Sequence, residues 1–294
     1  MKLTQGIRRK LIQIAAFGFT NAHLTNFGKG KIYTGKWKNF CVPGVNCYSC
    51  PAASAACPIG ALQAVQGSMD FNLSFYVLGF LLAVGTIFGR AVCGFACPFG
   101  LLQELLNKIP SKKRRLPAWT KYIKYAVLAV FVMILPVAIT DYMGIGKPAF
   151  CEFICPAGLL EGALPLMAAH PELRSAIGPV FWIKVSVCGI VILGSVIFHR
   201  FFCKVLCPLG AIYGLLNKIS FYRLHISTDK CIHCGKCARV CPMDVDPVRN
   251  PSSAECIRCG ACAAACPKAA LHLGFSDEKK DGLSCSSQSN RICS

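Results

Sequence analysis

Residues 231–267 constrain this chain more than any other stretch, because they hold two copies of the spacing C-x2-C-x2-C-x3-C-P. The copies read CIHCGKCARVCP and CIRCGACAAACP. In bacterial ferredoxins, each such run places three thiolates around one [4Fe-4S] cluster and sends its fourth cysteine to the neighbouring cluster. The spacing therefore predicts two clusters, one on Cys231, Cys234, Cys237 and Cys266, and one on Cys256, Cys259, Cys262 and Cys241.

Two other uses of clustered cysteines fit this stretch less well. Structural zinc sites take four ligands from two cysteine pairs and need neither a third cysteine nor a trailing Cys-Pro. Disulfides between cysteines this close in sequence would close strained loops. We therefore predict a bacterial-type 2[4Fe-4S] ferredoxin domain of α+β fold over residues 223–275.

The composition of the whole chain is that of a membrane protein. Apolar residues make up 54% of the 294 residues and charged residues 15%, with a mean hydropathy of +0.50. Soluble domains carry about 25% charged residues. The net charge of +19 is concentrated beside apolar segments, and no recognition motif accompanies it, so we expect no nucleic-acid partner.

Four apolar segments make up the predicted membrane part. Residues 73–92, 122–140 and 179–198 each approach a length of about 20 residues, which is enough to cross a bilayer. The fourth segment, within residues 1–27, follows basic residues and is either a first membrane helix or a signal peptide. Lys184 lies near the outer end of its segment, where we expect its amine to reach the membrane surface.

The distribution of basic residues predicts the orientation. Lysine and arginine crowd residues 108–124, whereas residues 141–178 hold four acids and two bases. Because positively charged loops stay in the cytoplasm, both termini and the ferredoxin domain of this multi-pass protein of the cytoplasmic membrane are predicted to be cytoplasmic. The lysines within residues 29–38 of the predicted outer loop run against this rule.

An internal duplication brings in further cysteines. Residues 93–109 and 203–219 agree at nine of 17 positions, and each contains C-x3-C-P-x-G after an apolar span. Proline suits the first turn of a helix, whose free N–H groups favour a thiolate on the preceding residue. Cysteines can also pack as small apolar side chains. A repeated motif instead predicts that pseudo-twofold packing forms a third [4Fe-4S] site at the inner membrane edge, from Cys93, Cys97, Cys203 and Cys207.

The predicted outer face holds six thiols, which is more than one cluster requires: Cys41, Cys47, Cys50, Cys57, Cys151 and Cys155. By analogy with the inner motif, Cys57, Cys151 and Cys155 are three ligands, and either Cys50 or Cys47 is the fourth. The remaining thiols would cap a further metal or form a disulfide. The sequence thus predicts at least one outer [4Fe-4S] cluster.

Three cysteines are left over: Cys188, Cys285 and Cys293. We expect the inner and outer sites to be separated by much of a hydrocarbon core about 30 Å thick. A second protein, a quinone or an additional mid-membrane centre touching Cys188 would then bridge them, although Cys188 also fits a packed core thiol. The polar residues 276–294 are predicted to be disordered.

The motifs CGFACPFG, CKVLCPLG, CIHCGKCARVCP and CIRCGACAAACP together resemble the membrane-bound polyferredoxin family, over about residues 70–275. That family includes the quinol-oxidising membrane subunit of periplasmic nitrate reductase systems, the membrane regulator of nitrous-oxide reduction and an iron-sulfur protein of cytochrome oxidase assembly. The resemblance implies electron transfer between the cytoplasm or quinone pool and an exterior acceptor. The cysteines of residues 41–57 and the motif at Cys151 depart from the best-known members and favour transfer across the whole bilayer.

We therefore expect an α-helical membrane protein of about four transmembrane helices in two pseudo-symmetric halves, followed by the ferredoxin domain. Its parts are a first helix with the outer cysteine-rich loop (1–72), the membrane core (73–222), the ferredoxin domain (223–275) and the tail (276–294). The expected function is electron transfer from a cytoplasmic ferredoxin, flavoprotein or quinol to an extracytoplasmic flavoprotein or metalloprotein. A membrane quinol dehydrogenase or metal-ion reductase, or a redox sensor or assembly factor, are the alternatives.

Overall fold

The computed structural model describes residues 5–67, 72–139 and 146–275, whose regular secondary structure is helical apart from two short strands. The predicted tail, with Cys285 and Cys293, lies outside the described residues. The first half runs through α1 (Gln5–Thr20), α2 (Pro58–Gln66), α3 (Asn72–Phe88), α4 (Ala91–Phe95), α5 (Pro98–Leu106) and α6 (Ala118–Ala138). The second runs through α7 (Gly158–Ala169), α8 (Pro179–Ile197), α9 (Phe201–Val205) and α10 (Pro208–Leu216). Short helical turns lie at Asn26–Lys29, Lys36–Asn39, Phe150–Ile154 and Pro171–Ala176.

The order of elements repeats in the two halves. A helix that begins after Cys-Pro is followed by a long apolar helix, a one-turn helix and a second Cys-Pro helix, as α2 to α5 and again as α7 to α10. Proline occupies the first turn of α2, α5 and α10, and Cys57, Cys97 and Cys207 are the residues that cap their N-termini. The predicted helix starts after Cys-Pro are confirmed at these positions.

Among the described residues, two helices are long and apolar enough to cross a membrane, α6 and α8. The third predicted span is shorter, since α3 is apolar over Phe75–Phe88 and ends at Gly89, whose φ of +57° is readily adopted only by glycine. The N-terminal segment forms α1, which packs along α4 and α5. Its Arg9 is 2.7 Å from Glu104, and Asn46 reaches the carbonyl oxygen of Thr20 at 3.3 Å.

The ferredoxin part is a small α+β unit. Its strands β1 (Arg223–Ile226) and β2 (Leu271–Gly274) pair in antiparallel fashion, with Leu224 opposite Leu273. Two short helices, α11 (Lys236–Arg239) and α12 (Ala261–Ala265), lie between the strands in sequence. Each of these helices follows a glycine with positive φ, Gly235 and Gly260, which lets the chain turn sharply after the second cysteine of each run.

Candidate iron-sulfur sites

The ferredoxin unit contains two small cavities, each lined by four cysteines. The proximal cage, about 20 Å³, is lined by Cys241, Cys256, Cys259 and Cys262. The distal cage, about 30 Å³, is lined by Cys231, Cys234, Cys237 and Cys266. The structure therefore brings together the two crossed sets of cysteines that the spacing predicts.

The proximal cage lies against the membrane core. Arg258 donates to the carbonyl oxygens of Phe88 at 3.0 Å and Asn217 at 2.7 Å. The side chain of Asn217 in turn donates to the carbonyl oxygen of Cys256 at 3.0 Å. Lys204 forms an ion pair with Asp244 at 2.7 Å. These contacts, several of them buried, hold the ferredoxin unit in one position on the helices that carry the next cysteines.

Four of those cysteines form the inner site: Cys93, Cys97, Cys203 and Cys207. Each is at most 5% exposed, and the thiols lie close enough for their charges to act on one another. Gln103 fixes one side of the site, because its amide donates to the Cys203 sulfur at 3.1 Å while its oxygen accepts from the Phe202 N–H at 3.0 Å. The pseudo-twofold packing predicted from the duplication thus places all four thiols together.

Two buried arginines tie the halves together at the inner site. Arg90 donates to the carbonyl oxygen of Cys203 at 3.0 Å, and Arg200 donates to that of Cys93 at 2.5 Å, so that each half supports a cysteine of the other. Both arginines are 0% exposed. Glu255 of the ferredoxin unit pairs with Arg90 at 2.8 Å and Glu104 with Arg200 at 2.6 Å, which compensates the buried charges.

The glycines of C-P-x-G make room for this arrangement. A Cβ at Gly100 would lie 3.1 Å from the Cys93 oxygen and 3.2 Å from Arg200, and a Cβ at Gly210 would meet Cys203 and Arg90 at 3.2 Å each. Glycine therefore suits both positions, because a side chain there would press against an arginine and the carbonyl oxygen that it binds.

The outer site consists of Cys47, Cys57, Cys151 and Cys155, whose charges act on one another. Gln63 repeats the role of Gln103, because it donates to the Cys151 sulfur at 3.4 Å and accepts from the Phe150 N–H at 2.9 Å. The site opens into a cavity of about 530 Å³, far larger than either ferredoxin cage.

The remaining predicted cysteines take different positions relative to these four. Cys41 lines the same cavity beside Cys57. Cys50 is buried with Ala52 and Ala53, and its sulfur is 4.0 Å from the side-chain oxygen of Asn21. Cys188 is buried on α8 and is not among the residues that line the cavity. All cysteines that the structure describes are free thiols.

Three charged residues lie at the outer cavity or beside its thiols: Lys38, Lys184 and Glu161. The amine of Lys184 lies 3.0 Å from the position of a Cβ on Gly158 and lines the cavity, and whether it also reaches the membrane surface stays a prediction. Glu161 accepts the N–H of Cys47 at 2.9 Å, and burial raises the pKa of this carboxyl to about 7.

The loop through Gly44 and Asn46 overturns the expected wide gap between the inner and outer sites. A Cβ on Gly44 would lie 2.8 Å from the Cα of Cys97, so the loop touches the inner site directly. The backbone N–H groups of the next two residues face different sites. That of Val45 faces Cys97 of the inner site, and that of Asn46 faces Cys57 of the outer site. Two consecutive peptide units therefore lie against one cysteine of each site, and no residue at Cys188 is needed to link the sites.

Four cysteine thiols at each site are the ligands that a [4Fe-4S] cluster takes. Across residues 5–67, 72–139 and 146–275, no three His, Cys, Asp or Glu side chains converge closely enough for one metal ion, as zinc would require. Burial and the neighbouring Cys203 and Cys93 thiols raise the pKa of Cys97 to about 12, and a bound cationic centre would stabilise these cysteines as thiolates.

A further buried group points to a missing partner at the same place. The hydroxyl of Tyr213 is 0% exposed and has no hydrogen-bond partner among the described residues. It lies near Cys93 and Cys97 of the inner site and Cys57 of the outer site. A buried hydroxyl normally has a partner, and an acceptor bound between these thiols would supply it.

Sequence reasoning did not find the arginines and glutamines that frame the sites. Both arginines stand seven positions before the second cysteine of their motif, Cys97 or Cys207, and both glutamines stand six positions after Cys57 or Cys97. Comparing the repeats a few residues beyond their cysteines would have revealed these regular offsets.

Fold and site together define a helical protein with several [4Fe-4S]-type cysteine sites and a ferredoxin unit docked onto them. Residues 73–117, 125–164 and 179–227 match a 4Fe-4S binding domain family, and residues 223–267 match a 4Fe-4S dicluster domain family. The chain belongs to the membrane-bound polyferredoxin family of iron-sulfur electron-transport proteins.

Its relatives include the uncharacterized protein MJ0750 of Methanocaldococcus jannaschii, 30% identical over 68% of this chain and 78% of the relative. The putative electron transport protein YccM of Escherichia coli is 26% identical over 62% of this chain and 48% of its own length. The methylamine utilization ferredoxin-type protein MauN of Methylorubrum extorquens is 29% identical over 55% of this chain and 50% of its own. The chain thus spans about half of two of these relatives. No solved structure matches it.

Proposed function

We propose that the protein carries electrons across the membrane through four [4Fe-4S] clusters, held at the distal cage, the proximal cage, the inner site and the outer site. Each cluster takes up or releases one electron with little rearrangement of its thiolate ligands. The observation that carries the proposal is the chain of contacts from the proximal cage to the inner site and from the inner site to the outer site. Cys256 of the proximal cage is linked through Asn217 and Arg90 to Cys203, and Cys97 is linked through the loop at Val45 to Cys57.

The fourth ligand of the outer site is Cys47 in this proposal. Its charge acts together with those of Cys57, Cys151 and Cys155, whereas Cys50 faces Asn21. Cys41 is then a spare thiol beside the cluster, and Cys188 is a packed thiol. This assignment uses four cysteines at each of four sites.

In the membrane, α6 and α8 would span the bilayer, with the shorter α3 and the N-terminal α1 completing about four helices. Both termini and the ferredoxin unit would be cytoplasmic, as the basic residues at 108–124 indicate. Retention of α1 is supported by its ion pair from Arg9 to Glu104, which belongs to the inner site. The donor would be a cytoplasmic protein, and the acceptor an extracytoplasmic flavoprotein or metalloprotein.

One observation favours a second function, oxidation of a quinol at the outer site. The cavity of about 530 Å³ falls in the range of small-molecule pockets, about 300 to 1,000 Å³. Apolar residues such as Val77 and Phe150 line it together with Tyr76 and Lys184, which could hold a polar headgroup. A short-chain quinol added to oxidised protein should reduce the clusters if this second function is correct.

The proposed function is tested by counting iron after anaerobic purification and recording low-temperature EPR. We expect about 16 iron atoms per chain in the parent, and about four fewer in Cys155→Ala and in Cys203→Ala. Cys50→Ala and Cys188→Ala serve as matched controls and should keep all their iron. If Cys155→Ala keeps all its iron, the outer cluster is not present. If Cys50→Ala loses iron, Cys50 is the fourth ligand of the outer cluster.

A further inference from the structure

The two ferredoxin cages differ in what surrounds them. The proximal cage is lined by apolar residues and Arg258, and its contacts face the membrane helices. Three lysines line the distal cage: Lys230, Lys236 and Lys268. All three lysines are exposed, and Cys234 of this cage is the one exposed cysteine among those that the structure describes. The distal cage is therefore the place where the ferredoxin unit meets solvent.

The centre of this surface is apolar. Ile232, between the first two cysteines of the distal run, is 58% exposed, and Val240 is 39% exposed. The guanidinium of Arg239 donates to the carbonyl oxygen of Cys234 at 3.2 Å and remains exposed, which adds a fourth positive charge. The acidic residues near this surface are Asp229, beside Lys230, and Asp246, which acts on Cys237 and pairs with Arg249 at 3.6 Å. An apolar centre with a charged rim is the usual anatomy of a protein interface.

We propose that this surface, with Lys230, Lys236, Arg239 and Lys268 around Ile232, is the docking site for a small acidic soluble ferredoxin. The inference rests on the proposed function, because it requires a cluster in the distal cage. Positive charge around the exposed cage favours an acidic partner, and such complementarity speeds the encounter about 10- to 1,000-fold at low salt. An exposed cluster edge suits a carrier that gives one electron at a time. One electron leaves the reduced cluster of the carrier, and one enters the distal cluster.

The experiment mixes dithionite-reduced acidic ferredoxin with oxidised full-length protein in detergent and follows the reduction of its clusters by stopped flow. In Lys230→Glu/Lys236→Glu/Lys268→Glu, we expect the second-order rate constant to fall at least about tenfold at low salt, with a weaker salt dependence. The matched control reverses three exposed lysines elsewhere on the chain, as Lys29→Glu/Lys31→Glu/Lys36→Glu, and should keep the parent rate within about twofold.

A second variant examines the apolar centre. Ile232→Ser should slow the reaction at every salt concentration without changing its salt dependence, since it removes contact area and no charge. If Lys230→Glu/Lys236→Glu/Lys268→Glu keeps the parent rate constant, docking at the distal cage is wrong. The same holds if both triple variants lower the rate constant equally. Faster, lysine-dependent reduction by a flavodoxin than by the ferredoxin would assign the surface to a different partner.

Iron counts and the EPR spectra of protein reduced directly by dithionite separate this proposal from the function on which it rests. A parent without four clusters would overturn the proposed function. A parent with all clusters that acidic ferredoxin does not reduce would overturn the docking proposal alone.

Discussion

The inner and outer sites share one scaffold and differ in how they are closed. Each has a Cys-Pro helix in both halves and a glutamine that grips a cysteine sulfur of the other half, Gln103 at Cys203 and Gln63 at Cys151. At the inner site, the residue seven positions before the second cysteine of the motif is an arginine in both halves, Arg90 in the first and Arg200 in the second. At the outer site, the same position is Cys50 in the first half and Pro148 in the second, so neither half has an arginine at this position.

This difference determines what each site can admit. The arginines fill the space around the inner thiols and pair with Glu104 and Glu255, which leaves a closed site with fixed ligands. Without them, the outer site opens into a cavity of about 530 Å³ that Lys184 enters from α8. The closed site suits transfer of electrons between neighbouring clusters, whereas the open one has room for a partner or a small molecule.

The largest effect is expected when the closure of the inner site is broken. Arg200→Gln would leave Glu104 in a buried site with fewer partners and free the carbonyl oxygen of Cys93, at a cost of about 3 to 5 kcal/mol. We expect a lower melting temperature and loss of about four iron atoms. Arg9→Gln is the control, since Glu104 would keep its buried contact with Arg200. A normal iron count in Arg200→Gln would show that the arginine does not organise the inner thiols.

A smaller effect is expected where the two sites touch. In Gly44→Ala, the new Cβ would lie 2.8 Å from the Cα of Cys97, and relieving that overlap should cost about 1 to 3 kcal/mol. Because the displaced loop serves both sites, the EPR spectra of the inner and outer clusters should change together. Gly28→Ala is the matched control, since no atom lies within 4 Å of its added Cβ. Altered spectra for one cluster alone would contradict a shared loop.

The smallest effect compares the two glutamines. An amide that donates to a cluster ligand stabilises the more negative, reduced form, so Gln103→Leu should lower the potential of the inner cluster by about 20 to 60 mV. Gln63→Leu should lower the potential of the outer cluster by a similar amount, and each variant is the control for the other. Redox titrations followed by EPR would measure both. If a variant shifts the potential of the other cluster instead, Gln103 and Gln63 do not have equivalent roles at the two sites.

The sequence predicts the parts of the fold and of the sites that depend on residues close together in the chain or in matching positions of the repeat. The spacing of the ferredoxin cysteines and the repeat of C-x3-C-P-x-G predict which thiols come together, because these residues are close in the chain or in matching positions. The contact of Gly44 with Cys97 depends on the path of an irregular loop, so no periodicity reveals it. The choice between Cys47 and Cys50 likewise depends on a turn, and the inward course of Lys184 depends on packing around Gly158.

The crossed contacts of Arg90 and Arg200 have a consequence for the origin of the chain. Each guanidinium holds the cysteine of the opposite half in the same way, which is the reciprocal pattern of an interface between two identical subunits. Neither half alone can complete the inner site, so an ancestor with a single half would have worked as a homodimer. In the present chain, Gln103 and its counterpart Tyr213 differ, so the two sides of the centre are no longer equivalent.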